Sequence, residues 1–311
     1  MERLAAARLV LIGMVMGAAE VVPGVSGGSI AFITGIYERL LNAIRQFTPL
    51  LLLDLKNNGV AATWRQVDAN FLLLLLSGMA VSVIVLAGVL RYLLEFEAIF
   101  IWSFFFGLVL LSVWLVLNQV DRFGFDIGVG IAVGIILGYS VTSMVPLNVE
   151  PTMLNLFLGG MLAISAWVLP GISGSFILLI LGLYRFVIDA IAEFDLFLLI
   201  SFAAGCGIGI VAFSHLLSRL LALYRNETVA ILAGVMFGSL GKLWPWRHVS
   251  SYQIKSDGSH TPLVEDPVLP GLYTDLTGLD ADLPMALVGF VLGCAAVYLL
   301  HLLSTNRVKV A

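Results

Sequence analysis

The sequence predicts an all-α, polytopic membrane protein made of two inverted repeats, each a re-entrant helical hairpin followed by three transmembrane helices. Three observations predict it. The 311-residue chain is 60% hydrophobic and only 12% charged, with a mean hydropathy of +1.04, whereas a soluble domain carries about 25% charge. Six apolar runs each approach one bilayer in length. Two further apolar regions carry the same Pro-Gly-x-Ser-Gly sentence, from Pro23 to Gly27 and from Pro170 to Gly174.

The first region, 4–44, begins like a secretion signal, with Arg3 and Arg8, an apolar run from Leu9, and small residues Gly17, Ala18 and Ala19. The same kind of segment recurs at 151–169, where no signal can stand, so the first is read as a retained part of the fold. About 40 residues in one straight helix would measure roughly 60 Å, twice the bilayer core. Pro23 with Gly24 breaks that helix, and Pro170 with Gly171 breaks its counterpart over 151–192. Each region is therefore predicted to be two arms of about 16 residues, or roughly 24 Å, that dip in and return.

Residues 45–68 read as a cytoplasmic linker with a short interfacial helix and Trp64 at the boundary. Runs 71–90, 98–118 and 127–147 follow as three spans. After the second hairpin come 196–214, 228–243 and 284–303, with a loop at 245–283. That loop holds six acids and two basic residues, and its Pro, Gly and Asp content predicts an irregular cap or lid. Cys206 and Cys294 lie in apolar runs and read as small core residues.

Lined up on Pro23 and Pro170, positions 23–44 and 170–191 share ten identities in 22, including Gly35/Gly182 and Tyr37/Tyr184. The chain reads as a duplication, with a first repeat at 1–148 and a second at 149–311. A hairpin adds no crossing and three spans follow it, so each unit crosses an odd number of times. The second unit is then upside down relative to the first, the arrangement of many transporters. With both termini in the cytoplasm, eleven basic residues fall inside and five outside, in line with the positive-inside rule.

Irregular backbone inside a membrane survives only where it is buried or lines a cavity. Beyond each Pro-Gly break a new helix starts, with unpaired amides and a partial positive charge. Ser26, Gly27, Gly28 and Ser29 in one tip, and Ser173, Gly174 and Ser175 in the other, supply hydroxyls and open backbone, a cradle for an anion. The same residues also suit a tight packing turn. Glu20, three residues before Pro23, is a candidate for coupling to a proton or sodium ion, or else a satisfied structural carboxylate. Arg39 and Arg185 stand beyond the tips, near opposite interfaces, as mouths for an anionic headgroup or as snorkelling anchors. Glu38 and Asp189 read as local ion-pair partners. No metal spacing, cofactor motif or nucleic-acid signature is present, and no cluster of His, Asp and Arg suggests a membrane enzyme.

"VVPGVSGGSIAFITGIYERL" and "VLPGISGSFILLILGLY" resemble the paired signatures of the bacterial and archaeal polyprenyl-phosphate transporters, formerly a domain of unknown function. The resemblance covers nearly the whole chain. It implies a flippase of the plasma (inner) membrane that returns undecaprenyl phosphate from the outer to the cytoplasmic leaflet, for recycling of the cell-wall lipid carrier. The family's acidic position before the first motif matches Glu20. Trp167 stands at the equivalent place in the second copy, so any acid-dependent coupling belongs to one half. A channel or carrier for a small inorganic anion would use the same helix termini and stays open as the alternative.

Overall fold

The computed structural model describes residues 2–21, 25–147, 149–254 and 260–305. Pro23 and Gly24, and Lys255, Arg307 and Lys309 of the charge comparison, lie outside the described residues. The first arm is α1 (Glu2–Val21). The return arm is two helices, α2 (Gly27–Ile33) and α3 (Tyr37–Ile44), against the single helix expected. Gly35 parts them at φ 72°, a left-handed conformation that glycine adopts without a Cβ penalty. The linker is two short helices, α4 (Leu50–Asn58) and α5 (Val60–Gln66), divided at Gly59 rather than joined. Leu50, Leu52 and Leu53 are exposed along α4, as an interfacial helix requires.

Three long helices follow, α6 (Ala69–Phe96), α7 (Ala98–Leu117) and α8 (Phe125–Thr142). The second half opens with α9 (Met153–Val168), then α10 (Gly174–Ile180) and α11 (Tyr184–Ala192), which bend through 108° at Gly182, φ 71°. Next come α12 (Leu196–Leu223) and α13 (Arg225–Gly238). The run 228–243, expected as a full span, is this 14-residue helix, closed by a 3-10 turn over Ser239–Leu243. Ser239 Oγ donates to Met236 O at 2.8 Å as the α-helix ends.

The 245–283 segment departs from the irregular chain expected, because its described residues form regular elements. Strands β1 (Arg247–Ile254) and β2 (His260–Pro267) pair antiparallel, and α14 (Pro270–Thr277) follows. Two indoles anchor it: Trp244 Nε1 donates to Val268 O and Trp246 Nε1 to Ala281 O, both at 2.8 Å. Helix α15 (Leu283–Thr305) completes the chain. Helices α6, α7, α8, α12 and α15 are long and apolar enough to cross a membrane, and the bent α10–α11 pair would make a sixth. Their outward residues, such as Ile84 and Phe197, are exposed apolar surface suited to lipid. The chain is a multi-pass membrane protein.

The packing repeats in the two halves. Helix α1 packs along α6, and α9 along α12. Across the halves, α7 packs along α15, and α8 along α13. Exchanging the halves therefore maps the four long seams onto one another. Small residues let the backbones approach: a Cβ on Gly160 of α9 would stand 2.6 Å from Phe202 O. Gly13 and Gly160 each precede the motif proline by ten positions and both sit in such a seam. The half-buried thiols of Cys206 and Cys294 face Gly160 O and Gly107 O across two of the seams.

Candidate functional site

The two motifs meet in the middle of the largest apolar cluster, which includes Met16, Val25, Ile30, Val168 and Met236. Ser26 starts α2 from an extended backbone, and its Oγ accepts from Gly28 N at 3.1 Å, a helix N-cap. The same hydroxyl faces two carbonyls of the other tip, Leu169 O at 3.1 Å and Trp167 O at 3.2 Å. Ser29 Oγ accepts from Gly171 N at 3.0 Å. Tyr37 Oη donates to Val168 O at 3.0 Å, from just past the Gly35 break. The tips are thus interlocked by side chains of the first and backbone of the second.

Steric demand explains two of the glycines. A Cβ on Gly28 would stand 2.7 Å from Val168 O, so a larger residue would force the tips apart. Gly171 has φ 89°, and a Cβ there would meet Met236 Cα at 2.7 Å. Ser173 caps α10 only through its extended backbone; its Oγ lies 2.8 Å from Ser175 Oγ. Ser26, Ser29 and Ser173 are fully buried. The two tips are closed on each other, and α2 and α10 are short, at 7 residues each.

Glu20 stands in the last turn of α1 with its carboxyl group against the tip. Gly27 N donates to Glu20 Oε1 at 2.7 Å, and the Trp167 side chain is a second hydrogen-bonding neighbour. The two residues at equivalent positions of the repeat therefore meet. The first amide of α2 is thus satisfied by a carboxyl oxygen of the chain itself.

Arg39 and Arg185 are not brought to the tips. Both lie beyond the glycine breaks. Arg39 donates to Asp68 twice, Nε to Oδ2 at 2.6 Å and Nη2 to Oδ1 at 3.0 Å, and its guanidinium sits 4.3 Å from the Phe71 ring centre. Arg185 pairs with Asp189 one turn on, at 3.5 Å. Glu38 does not pair locally: it forms an ion pair with Arg225 of the other half. On the lid side stands a group that the sequence reading passed over, Lys242, Arg247 and Glu265. Burial works against the Arg247 charge, and the Glu265 carboxylate supports it. The run Trp244-Pro-Trp246-Arg247, aromatic and basic together, was the available signal.

Comparison with known proteins fits this picture. A family model described as undecaprenyl phosphate translocase-like matches residues 16–261. The chain is 45% identical to a polyprenyl-phosphate transporter of Vibrio cholerae over 89% of this chain and 90% of that one. It is 28% identical to a polyprenyl-phosphate transporter of Staphylococcus aureus over 76% of this chain and 85% of that one. No solved structure matches. With both motifs inside the matched span and the agreement running through most of the chain, this protein belongs to the undecaprenyl phosphate translocase-like family.

Proposed function

We propose that the chain is a flippase that carries undecaprenyl phosphate from the outer to the cytoplasmic leaflet of the inner membrane, by alternating access, so that the lipid carrier is reused. The observation that carries this reading is the meeting of two buried, hydroxyl-rich tips at the centre of a helix bundle. The names of the relatives support the substrate. The halves are inverted repeats, with both termini cytoplasmic and the lid external; the exchangeable seams and the charge split support this.

Ser26, Gly27, Gly28, Ser29, Ser173, Gly174 and Ser175 hold the phosphate once the tips part. The hydroxyls that now face Leu169 O and Gly171 N turn to the substrate oxyanion. A phosphate monoester brings about −1.5 to −2 charges, which one helix terminus, at most about 2 kcal/mol, does not offset alone. Glu20 leaves the Gly27 amide as the phosphate arrives, and takes up a proton or sodium ion when it does so. Arg39 and Arg185 receive the headgroup at the two mouths while the prenyl tail stays in lipid.

The test is leaflet-resolved transport of undecaprenyl phosphate in proteoliposomes holding the purified chain. The expected result is inward movement of the lipid that inorganic phosphate does not block. Transport of inorganic phosphate with no movement of the lipid would replace this reading with that of an anion carrier.

A further inference from the structure

Lys242, at the end of the 3-10 turn, and Arg247, at the start of β1, converge on one oxygen of Glu265 in β2. Glu265 Oε2 lies 3.6 Å from Lys242 Nζ and 2.9 Å from Arg247 Nη1. The Arg247 side chain is only 11% exposed, and its guanidinium stands 4.0 Å from the Trp102 ring centre in α7. Among the described residues, two cations thus face one carboxylate in a part-buried pocket. Unbalanced charge away from water is costly, and a dianion would balance this pair better than the single carboxylate does.

The cluster also lies on the way to the tips. In a 3-10 helix, side chains three apart eclipse. Ser239 faces the second motif, its Oγ 3.1 Å from where a Cβ on Gly171 would stand. Lys242 extends the same face, and its ammonium is 5.5 Å from the ring centre of Phe176, the residue after Ser175. The same segment lines an apolar cavity of about 510 Å³, together with Phe106 and Leu110 of α7 and Leu269 past β2. Phe237 and Leu269, both in its wall, are exposed, so the cavity opens to the outside of the bundle.

We propose that Lys242 and Arg247 form a receiving site for the phosphate monoester headgroup of a polyprenyl lipid, with the apolar cavity taking its first prenyl units and Glu265 holding the place of the phosphate. This rests on the transport reading above and adds a station ahead of the tips. Glu265 sits opposite Val249 in the ladder that also carries Arg247, so a turn of the Glu265 side chain alone uncovers both cations without disturbing α7 or α13. A phosphate carries about −1.5 to −2 charges and neutralises the pair, and the planar Arg247 fork suits its oxygens. Lys242, beside Phe176, then passes the headgroup towards Ser173 and Ser175.

Equilibrium binding of radiolabelled farnesyl phosphate to the purified full chain tests this. Lys242→Gln should weaken binding by at least about fivefold, as loss of a charge-assisted contact does. Glu265→Gln should tighten it, because the competing carboxylate is gone. The opposite signs separate the proposal from general damage, which lowers both. Farnesol and inorganic phosphate should each compete at least about tenfold more weakly than farnesyl phosphate, since each supplies only half of the recognition. Unchanged binding in both variants, or loss in both, would overturn the proposal. Equal competition by inorganic phosphate would overturn the lipid assignment. Failure of the transport reading looks different: the parent protein itself would then move no undecaprenyl phosphate, whereas failure of this site alone leaves transport intact and sensitive to Ser173→Ala.

Discussion

Ser26 uses one oxygen for two purposes, capping α2 and gripping the opposite tip. Ser26→Ala should therefore cost about 1–2 kcal/mol of stability, as loss of an N-cap does, besides weakening headgroup binding. Ser173→Ala should lower headgroup binding as much but stability less, because its hydroxyl faces that of Ser175 and caps no amide. Thermal melts and ligand binding, measured on both variants, check the contrast; if both bind and move the lipid like the parent, the repeated sentence is a packing device. Glu20→Gln should keep its contact with Gly27 N, since an amide oxygen accepts the same bond, yet remove the dependence of transport on an ion gradient. Unchanged dependence would make Glu20 structural. The sequence displayed these residues because Ser, Gly and Glu stand out against apolar neighbours. It did not display their partners, Trp167, Leu169 and Gly171, which arrive from more than 140 positions away as backbone groups.

The elements show where pattern reading stops. Each return arm continues in apolar residues through Gly35 or Gly182, so nothing in its hydropathy marks the break; only the identity of the two glycines pointed there. Gly182→Ala should destabilise the hairpin by about 1–2 kcal/mol, the cost of left-handed backbone for a residue with a Cβ, and slow transport. An unchanged melting temperature would show that the break is soft. The lid was misread for a related reason: its low apolar content and its Pro, Gly and Asp suggested irregular chain, although Asp257-Gly258 is a hairpin-turn signal. On α3, Arg39→Ala breaks a half-exposed pair with Asp68, worth about 0.2–1 kcal/mol. A transport loss far larger than that stability loss, read in the same proteoliposomes, is expected if Arg39 serves the cytoplasmic mouth.

At the scale of the molecule, the six apolar runs and the doubled motif made the architecture legible, because bilayer thickness fixes helix length. The one run that fell short, 228–243, ends where Ser239, Gly241 and Lys242 leave the α-helix for the lid. The orientation proposed above rests on charge and parity, and one cysteine checks it. In a chain with Cys206 and Cys294 replaced, Asp275→Cys in the exposed α14 should react with an impermeant maleimide only from outside; labelling only from the cytoplasm would invert the topology. The cross-half seams have a further consequence, for synthesis. Gly107 of α7 finds Cys294 of α15 only after 187 more residues have been made, which takes roughly 10–40 s at ordinary translation speeds. Until then α7 stands in the membrane without its mate α15, while α8 waits only for α13, and the first half is an incomplete object. The protein's two halves are thus interdependent tenants of one fold: supplied as separate chains in one cell they should assemble with each other, and either alone should be degraded.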